Sequence, residues 1–453
     1  MKNNSRRDFL KLSAALGVGS LILPGFKPYS FNSRINIAVI GVGGRGSASW
    51  SQVPKESIVA MCDVDDRMSA EGFKQCPNAK QYKDFRVMFD EMAKDIDAVI
   101  IATPDHTHFA AAMAAMELGK HVFVEKPLTH NIWQSRTLKK AAKYYKVVSQ
   151  MGNQGHTTNG IRLVKEWYDA GVLGQVKEVI RWSEGLTKDF EQNHYFGKPT
   201  SFPPSVDPIP NELNWDLWQG PASARSFSNY YTPRRWRGFF DYGSGKLGDW
   251  ACHTLDAPFW ALDLGMPHSV EATASNMMAD HSFVSDESVV TWQFGARGNK
   301  APVTMKWYEG MEKPAIRPEW GVTKLPSMGM IMIGDKKSII TDGRPNKAKL
   351  LVPNEEMIEF LKNAPPQTIP RVDEEKPVKE WLDAIQNHTL PGSNFNYSAD
   401  LTEMIQVGVL AQRFGGKFTY DSKHMKAIGR PELDAFIKEP VRKGWSYGEN
   451  LWK

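Results

Sequence analysis

The stretch from residue 35 to residue 63 constrains the fold of this chain more than any other part of its sequence. Residues 35–40 form a short apolar run, rich in β-branched side chains, of the kind that a buried parallel strand requires. The run leads into the sequence GVGGRG, in which Gly41, Gly43 and Gly46 follow the G-x-G-x-x-G spacing. That spacing lets the backbone turn tightly and approach a pyrophosphate at the N-terminus of a following helix. The stretch therefore predicts a βαβ unit with a phosphate-binding turn.

A second strand and an acid complete this pattern. Residues 58–62, IVAMC, predict the strand, in which Cys62 is most simply a buried side chain. Asp63 follows about 20 residues after the glycines, where a carboxylate accepts hydrogen bonds from an adenine-ribose diol and favours NAD over NADP. A lone G-x-G-x-x-G is often only a flexible loop. The strand before it, the helix after it and the acid at this distance favour dinucleotide binding.

Composition and charge indicate a globular chain of more than one domain. Its 453 residues exceed one ordinary core, and its 41% hydrophobic and 24% charged residues are usual globular values. Most of the formal charge of +5 lies in the first thirty residues, so the remainder is nearly neutral, which argues against a nucleic-acid partner. The three cysteines, Cys62, Cys76 and Cys252, are too few for a disulfide framework or a cysteine-rich metal site.

The first 33 residues have the features of an export signal. Residues 5–11, SRRDFLK, carry paired arginines and precede a moderately apolar run over residues 12–23, which resembles a twin-arginine signal. The alternative is a membrane anchor, but an anchor needs about 20 apolar residues and this run has about a dozen. We therefore expect residues 1–33 to be a twin-arginine export signal and linker. We expect the protein to be periplasmic or otherwise exported and to have no stable membrane span.

Alternating strands and helices after Asp63 predict the rest of an N-terminal domain. Helices are expected over residues 67–74, 86–94, 109–118 and 132–146, and strands over residues 97–102, 121–124 and 147–150. This alternation is typical of a doubly wound parallel sheet, so the fold class is α/β and residues 34–155 are assigned to a Rossmann domain.

The cofactor site is expected at one edge of that sheet, because ligands of an open parallel sheet collect outside the carboxyl ends of its strands. The glycine turn, the loop at residues 103–108 and the sequence EKP at residues 125–127 all follow predicted strands. We expect NAD to contact Gly41, Gly43, Gly44, Arg45, Gly46, Asp63, Thr103, Pro104, Asp105, His108, Glu125 and Lys126.

The character of the sequence changes after Gly152. A helix over residues 159–170 and strands over residues 176–182, 288–294 and 303–307 predict a C-terminal α+β domain with a largely antiparallel open sheet, spanning residues 156–453. Residues 378–387 and 399–414 are expected to be helices. Residues 202–218, rich in proline and aromatic side chains, predict a long ordered loop with a role as a lid.

Four motifs carry a resemblance to a known family. GVGGRG at residues 41–46, TPD with His108, EKP at residues 125–127 and GDWACHTLD at residues 248–256 occur in this order and spacing. In these motifs the chain resembles the glucose–fructose oxidoreductase, inositol dehydrogenase and MocA (Gfo/Idh/MocA) family of NAD(P)-dependent sugar oxidoreductases. The resemblance covers nearly everything after the signal. The sequences WDLWQGP at residues 215–221 and RKGW at residues 442–445 resemble an exported bacterial branch.

The resemblance implies a cis peptide bond between Lys126 and Pro127, which would aim the lysine at the nicotinamide. Cis X–Pro bonds are uncommon in folded proteins, so such a bond would have a specific role at its position. It also implies a C-terminal domain that binds the substrate and oligomerises, so we expect a homo-oligomer.

Lys126, Asp249 and His253 are the catalytic candidates. Asp249 and His253 are four residues apart, so on a helix they share one face, and a carboxylate-oriented histidine is a general base near neutral pH. Lys126 would stabilise a developing alkoxide. Taken singly, Lys126 could be a solvated charge, Asp249 a helix cap and His253 a core histidine. All three occur in the order that the resembled family has, which favours catalysis. A metal site of Asp249, His253 and Asp256 stays open although no further ligand is specified, and we expect no metal.

The substrate candidates are more loosely defined. Many relatives carry a basic pair after the sixth strand, whereas this chain has GNQGH at residues 152–156. Tryptophans are more often core and paired arginines more often surface residues, yet Trp182, Arg234 and Arg235 could also offer stacking or polar contacts to a sugar. The residues that we expect to contact the substrate are Gln154, His156, Arg181, Trp236, Asp249 and His253.

The resemblance and the candidates together predict an NAD-dependent oxidoreductase that transfers a hydride between a secondary hydroxyl of a sugar or glycoside and a tightly bound nicotinamide cofactor. Relatives that cleave glycosides by transient oxidation and elimination often lack the EKP lysine, so Lys126 favours the dehydrogenase. That glycoside cleavage is the first alternative. A non-catalytic dinucleotide-binding sensor is the second.

We predict that protein purified natively and then denatured will release NAD, because Asp63 would accept from the ribose 2′-hydroxyl and repel a 2′-phosphate. The measurement is chromatographic identification of the released dinucleotide. Recovery of mainly NADP would contradict the assignment.

Overall fold

The predicted glycine turn connects the first strand of a parallel sheet to its first helix. In this computed structural model, the described residues are 34–183, 195–275, 277, 280–310 and 314–453. The first six strands are β1 (Ile37–Ile40), β2 (Ile58–Cys62), β3 (Lys80–Tyr82), β4 (Ala98–Ile101), β5 (His121–Val124) and β6 (Ser149–Met151). They pair in the order β3-β2-β1-β4-β5-β6, all parallel. The predicted doubly wound sheet is confirmed.

Five helices of the described chain belong to this sheet: α1 (Arg45–Trp50), α2 (Asp66–Gln75), α3 (Phe85–Met92), α4 (Asp105–Glu117) and α5 (Ile132–Tyr145). The side chains of Asp65 and Asp84 cap α2 and α3 by accepting from the amide two residues on. The start of α4 differs from the prediction, since residues 105–108 form its first turn rather than a loop. Pro104 flanks the N-terminus of this helix, and Asp105 is its first residue.

The C-terminal half contains a second sheet. Its strands are β7 (Val176–Ser183), β8 (Ser269–Ser275), β9 (Glu287–Phe294), β10 (Val303–Glu309), β11 (Met328–Gly334), β12 (Ser338–Thr341), β13 (Ala348–Leu350), β14 (Gly416–Asp421) and β15 (Lys426–Ile428). Among the described residues these nine strands pair in the order β13-β12-β11-β7-β10-β9-β8-β14-β15. Only β7 and β10 pair in parallel. The predicted largely antiparallel sheet is confirmed, although the sequence pattern indicated only β7, β9 and β10.

The described part of this half contains eight α-helices. They are α6 (Asn159–Asp169), α7 (Trp215–Gln219), α8 (Gly245–Thr254), α9 (Asp256–Leu262), α10 (Asn354–Lys362), α11 (Pro377–Asn387), α12 (Phe395–Phe414) and α13 (Asp434–Ile437). The long helix α12 lies directly on β9. A Cβ on Gly408 would approach the ring of Trp292 to 2.0 Å, and the Trp292 indole N–H donates to the Met404 carbonyl at 3.1 Å. Only glycine therefore permits this close contact.

The proline-rich stretch at residues 202–218 is held against the parallel sheet. The Asp66 amide donates to the Glu212 carbonyl at 3.0 Å, and the Asn214 amide donates to the Val64 carbonyl at 2.9 Å. The stretch ends in α7, which the sequence prediction placed in the loop. It therefore runs past the end of β2, next to the expected cofactor site.

Two predictions about the organisation of the chain stay predictions. Residues 1–33, the expected export signal, lie outside the described residues. The expected domain boundary between residues 155 and 156 falls inside a short 3-10 helix, Gln154–Thr157. Across the described ranges, no helix combines the length and the apolar character needed to cross a membrane.

A buried carboxylate joins three elements of the two halves. Glu403 of α12 is 1% exposed and accepts two hydrogen bonds from the Arg136 guanidinium of α5, both at 2.6 Å. The Tyr420 hydroxyl of β14 donates to the same carboxylate at 2.8 Å. Bidentate Arg–carboxylate pairs are among the strongest charge-assisted hydrogen bonds, so this cluster fixes α5 against α12.

We predict that Arg136→Met will lower the free energy of unfolding by about 3–5 kcal/mol, because it leaves the buried charge of Glu403 without its cation. The matched control is Lys139→Met, one turn along α5, which breaks the half-exposed ion pair with Asp400. That pair should contribute about 0.2–1 kcal/mol. The measurement is urea denaturation of both variants, and equal losses would contradict the assignment.

Candidate active site

A cavity of about 640 Å³ lies between the carboxyl edge of the parallel sheet and helix α8. Its walls come from the glycine turn, the ends of β2, β4 and β5, and residues of the C-terminal half. The predicted residues that line it are Gly41, Gly43, Gly44, Arg45, Asp63, Thr103, Pro104, Asp105, Glu125, Lys126, Gln154, Trp236, Asp249 and His253.

The glycine turn has no room for side chains. A Cβ on Gly41, where φ is +86°, would lie 2.6 Å from the Ala102 carbonyl oxygen, and one on Gly46 would lie 1.9 Å from the Gly41 carbonyl oxygen. A Cβ on Gly43 would lie 2.3 Å from the Met68 carbonyl oxygen. The backbone is thus exposed to the cavity at the start of α1, as a pyrophosphate site requires.

Asp63 orients this turn. Its carboxylate accepts from the amides of Val42 at 2.8 Å, Gly43 at 3.3 Å and Asp65 at 3.0 Å. Burial raises the pKa of Asp63, while these amide hydrogen bonds act in the opposite direction. The half-buried carboxylate faces the cavity beside the glycines, so the residues present fit the adenine-ribose end of a dinucleotide.

Glu125 holds the arginine of the glycine turn. Its Oε1 accepts from Arg45 Nε at 2.9 Å and from the Ser49 hydroxyl at 2.8 Å. A Cβ on Gly152 would approach the Glu125 carboxyl to 2.8 Å, so glycine is needed there too. Glu125 is therefore placed to position Arg45 at the mouth of the cavity.

His108 is buried behind the cavity wall and does not line the cavity. Its two ring nitrogens lie 2.8 Å from the carbonyl oxygens of Pro127 and Thr103. The histidine predicted to contact the cofactor therefore bridges the two loops that form the wall. The structure places it as a support of those loops.

Lys126 and Asp249 form an ion pair across the cavity. The Lys126–Pro127 peptide bond is cis, as the resemblance implies. Lys126 Nζ donates to Asp249 Oδ1 at 2.5 Å and to the Asp249 carbonyl at 2.8 Å, and Arg237 Nε lies 3.9 Å from the same Oδ1. Burial acts to raise the pKa of Asp249, but the charges of Lys126 and Arg237 bring it below its usual range. The carboxylate is therefore ionised and orients the lysine.

The expected pairing of Asp249 with His253 differs from the structure. Both residues lie on α8 and line the cavity, but the Asp249 carboxylate is held by Lys126. His253 Nδ1 is buried and has no hydrogen-bond partner among the described residues. Burial, followed by the charge of Lys126, lowers the pKa of His253 well below its usual value. A neutral ring retains a nitrogen that can accept a proton.

Asp105 is a buried acid in the same wall. Burial raises the pKa of Asp105 to about 7. The charge of Arg237 lowers this pKa, whereas the charge of Asp249 raises it further. The cavity thus holds one carboxylate that is ionised beside Lys126 and a second that titrates near neutral pH.

Two predicted substrate contacts lie away from the cavity. His156 Nδ1 is 3.0 Å from Asp256 Oδ2, and Tyr397 and Asn153 donate to the same carboxylate. Arg181 is fully buried in β7, with its guanidinium 3.3 Å from the centre of the Trp307 ring. Both assignments are corrected. The register of β7 turns Arg181 into the core, and the buried Asp256 holds His156 there.

Asp249, His253 and Asp256, the residues of the possible metal site, do not converge on one point in the structure. The Asp256 carboxylate is occupied by His156, Asn153 and Tyr397, whereas Asp249 is bound to Lys126. Within the described ranges, no group of three or more His, Cys, Asp or Glu side chains is arranged to hold a metal ion.

Several lining residues escaped the sequence prediction, among them Arg237, Trp250, Arg344 and Trp445. Arg237 and Trp250 adjoin residues that the motifs indicated, and Trp445 lies in the sequence RKGW. Arg344 lies between β12 and β13, in a loop without a motif. No local signal could have located it, because it reaches the cavity only through the packing of the second sheet.

Comparisons with known proteins agree with this geometry. Residues 35–153 match the oxidoreductase family, NAD-binding Rossmann fold, and residues 157–297 match the oxidoreductase family, C-terminal alpha/beta domain. A glycosyl hydrolase family 109 protein of Solibacter usitatus is 35% identical over 29% of this chain and 35% of its own length. A levoglucosan dehydrogenase of Pseudarthrobacter phenanthrenivorans is 28% identical over 60% of this chain and 62% of its own length. The matches thus span less than two thirds of these relatives.

A solved structure shares the fold over most of the chain. The inositol dehydrogenase homolog of Azotobacter vinelandii, complexed with NADH and myo-inositol, has a TM-score of 0.55 at 18% identity. The match covers 86% of this chain and 98% of that one. Because the two family matches together cover more than half of the sequence, the chain belongs to the Gfo/Idh/MocA oxidoreductase family, with residues 35–153 as its NAD-binding Rossmann fold.

Proposed function

We propose that this protein is an NAD-dependent sugar oxidoreductase that exchanges a hydride between a secondary hydroxyl of a sugar or glycoside and a tightly held cofactor. One observation carries the proposal. The Lys126–Asp249 pair and the neutral His253 line the same cavity as the glycine turn and Asp63. The expected dinucleotide-binding residues and the expected proton-transfer residues therefore share one cavity, as hydride transfer requires.

The side chains divide the chemistry between them. The nicotinamide, when bound, supplies the acceptor for a hydride. His253 accepts the hydroxyl proton of the substrate, because its neutral ring lines the cavity together with Lys126. Lys126 stabilises the negative charge that develops on the same oxygen. Asp249 keeps the ammonium group in place through its hydrogen bond of 2.5 Å.

Relatives support both this reaction and one alternative. One relative is a levoglucosan dehydrogenase, and others are inositol 2-dehydrogenases. The relative from glycosyl hydrolase family 109 favours redox-neutral glycoside cleavage as the second candidate. Lys126 is intact here, so the net dehydrogenase is preferred. A sensor without turnover would show no change in cofactor redox state on addition of any sugar.

Two segments contribute residues to the cavity wall near the end of β2, which supports tight retention. The Asp65–Leu213 bridge joins the 202–218 stretch to the end of β2. Arg442 donates to Asp216 at 2.6 Å and to the Gly220 carbonyl at 2.7 Å, which brings the C-terminal segment with Trp445 to the same cavity. Release of a dinucleotide would require these contacts to open. Slow dissociation is the usual route to tight binding.

Export through the twin-arginine route belongs to the same proposal, supported by the arginine pair Arg6 and Arg7. Such a signal exports folded proteins, so the cofactor would be loaded before export and retained afterwards. The protein would then act in the periplasm or outside the cell. The expected homo-oligomer stays a prediction.

We predict that Lys126→Ala and His253→Ala will each lower turnover by about 10²-fold or more while the dinucleotide stays bound. The matched controls are Lys143→Ala and His268→Ala, which remove the same residue types from exposed positions. Turnover and dinucleotide content are measured on the same preparations. Near-normal turnover in either cavity variant would remove that residue from the site.

We predict that protein purified without added cofactor will carry a dinucleotide that is reduced once by a sugar and reoxidised by a keto-sugar. Retained NADH cannot exchange after each turnover, so a second substrate or an oxidised intermediate must reoxidise it. The measurement is the absorbance of the reduced nicotinamide before and after each addition, with products identified by mass spectrometry. An empty protein that needs a continuous supply of NAD would contradict retention.

A further inference from the structure

The loop between β12 and β13, residues 342–347, brings Arg344 to the cavity at a fixed position. The Thr254 hydroxyl of α8 donates to the Gly343 carbonyl at 2.6 Å, and the Thr158 hydroxyl at the start of α6 donates to the Pro345 carbonyl at 2.9 Å. The residues on both sides of Arg344 are thus bonded to neighbouring elements. The fold, rather than a flexible surface loop, sets where its side chain begins.

Close packing confirms that this loop has little freedom. A Cβ on Gly160 would lie 2.0 Å from the Pro345 carbonyl oxygen, and one on Gly155 would lie 3.1 Å from Pro345 Cδ. The same Cβ on Gly155 would lie 3.1 Å from the His253 carbonyl oxygen. The loop, the 3-10 helix that carries Gln154, and α8 therefore meet at one place.

Among the described residues, the Arg344 guanidinium forms one long ion pair and keeps hydrogen-bond donors without an acceptor. Its Nε is buried and has no partner in the part of the chain that the structure describes. Its Nη1 lies 3.8 Å from Glu375 Oε1, which is beyond hydrogen-bond distance. A guanidinium has five N–H donors in a planar fork that matches a carboxylate. Arg45 and Lys126, by contrast, each donate to a carboxylate at 2.9 Å or less.

Two further buried polar groups in the same cavity lack partners. Gln154 is 3% exposed and His253 is 1% exposed, yet Gln154 Nε2 and His253 Nδ1 have no hydrogen-bond partner among the described residues. An unsatisfied buried polar group costs free energy, so such groups are expected to be satisfied by a ligand or water. Gln154 Nε2 is a donor, as is the Arg344 fork, so their natural partner is an acceptor that carries negative charge.

The position of Arg344 favours the substrate over the cofactor phosphates. Its guanidinium lies 5.9 Å from the Trp250 ring, and that ring lies 5.7 Å from the His253 ring. Trp250 and His253 belong to α8, which also carries Asp249. The guanidinium of Arg344, whose ion pair with Glu375 is 3.8 Å long, therefore lies near the α8 residues to which we assign proton transfer.

We infer that Arg344 and Gln154 bind a carboxylate carried by the substrate, so that the preferred substrate is an acidic sugar, a glycoside of a hexuronic acid. The inference rests on the proposed function, because it names the substrate class of that same site. A neutral hexose would leave the Arg344 fork and the Gln154 amide without a charged acceptor.

The experiment measures binding and cofactor reduction separately on protein that carries its dinucleotide. The probes are the methyl glycosides of glucuronic, galacturonic and mannuronic acid, each paired with the neutral methyl hexoside that has CH₂OH in place of the carboxylate. Calorimetry gives the affinities, and absorbance gives reduction. We expect at least one acid to bind about tenfold to hundredfold more tightly than its neutral partner, as a charge-assisted hydrogen bond would provide.

The variant Arg344→Gln should abolish most of that preference for the acid. Lys347→Gln, which removes the same charge from an exposed position of the same loop, should retain it. If Arg344→Gln does not fold, Arg344→Lys and Gln154→Ala replace it, each with a smaller expected loss of the preference.

The outcomes separate the inference from the proposed function. Equal affinity for acids and neutral sugars, no binding of any acid, or an unchanged preference in the folded variants would overturn the inference, whichever sugars reduce the cofactor. Loss of dinucleotide from Arg344→Gln would also overturn it, since Arg344 would then hold the cofactor. Tight binding of acids without reduction by any sugar would uphold the inference and refute the oxidoreductase.

Discussion

The ion pair between Lys126 and Asp249 is the contact on which the rest of the site depends. Lys126 follows strand β5 of the parallel sheet, whereas Asp249 lies on α8 of the C-terminal half, so the pair joins the two halves across the cavity. Its two oxygen acceptors, one carboxylate and one carbonyl, fix the ammonium group. Partly buried pairs of this geometry specify an arrangement, since either charge alone would be costly in the cavity. The pair therefore ties α8 to the end of β5.

The charges around that pair give the cavity two different ends. At the glycine turn, Arg45 donates a hydrogen bond to Glu125, and the amides of Val42 and Gly43 donate to Asp63. At α8, Lys126 is paired with Asp249, while the described residues place no carboxylate within hydrogen-bond distance of Arg344. His253 stays neutral between these cations because burial and the charge of Lys126 both disfavour its protonated form. The neutral ring keeps a nitrogen that can accept a proton, and its lowered pKa favours return of that proton to a reacting oxygen.

Buried polar networks behind the cavity keep these side chains in place. Asp256 follows directly after the helix that carries Asp249 and His253, and it binds His156 and Tyr397 in the core. Glu403 binds Arg136 and Tyr420 and fixes α12 beneath the two sheets. Such fully paired buried acids specify one packing arrangement, because any other arrangement would leave a charge unpaired. Several residues that look chemically active in the sequence therefore serve the scaffold.

The sequence by itself determined the parallel sheet, the glycine turn, the acid after β2 and the residue types of the site, because these depend on local periodicity, turn chemistry and short spacings. It also placed Lys126, Asp249 and His253 together. Only the tertiary structure decided that Asp249 pairs with Lys126 instead of His253, that His156 and Arg181 lie in the core, and that Arg344 reaches the cavity. The partner of a charged side chain depends on which distant segments pack beside it. Spacing along one helix fixes a shared face but not which of several nearby charges binds the carboxylate.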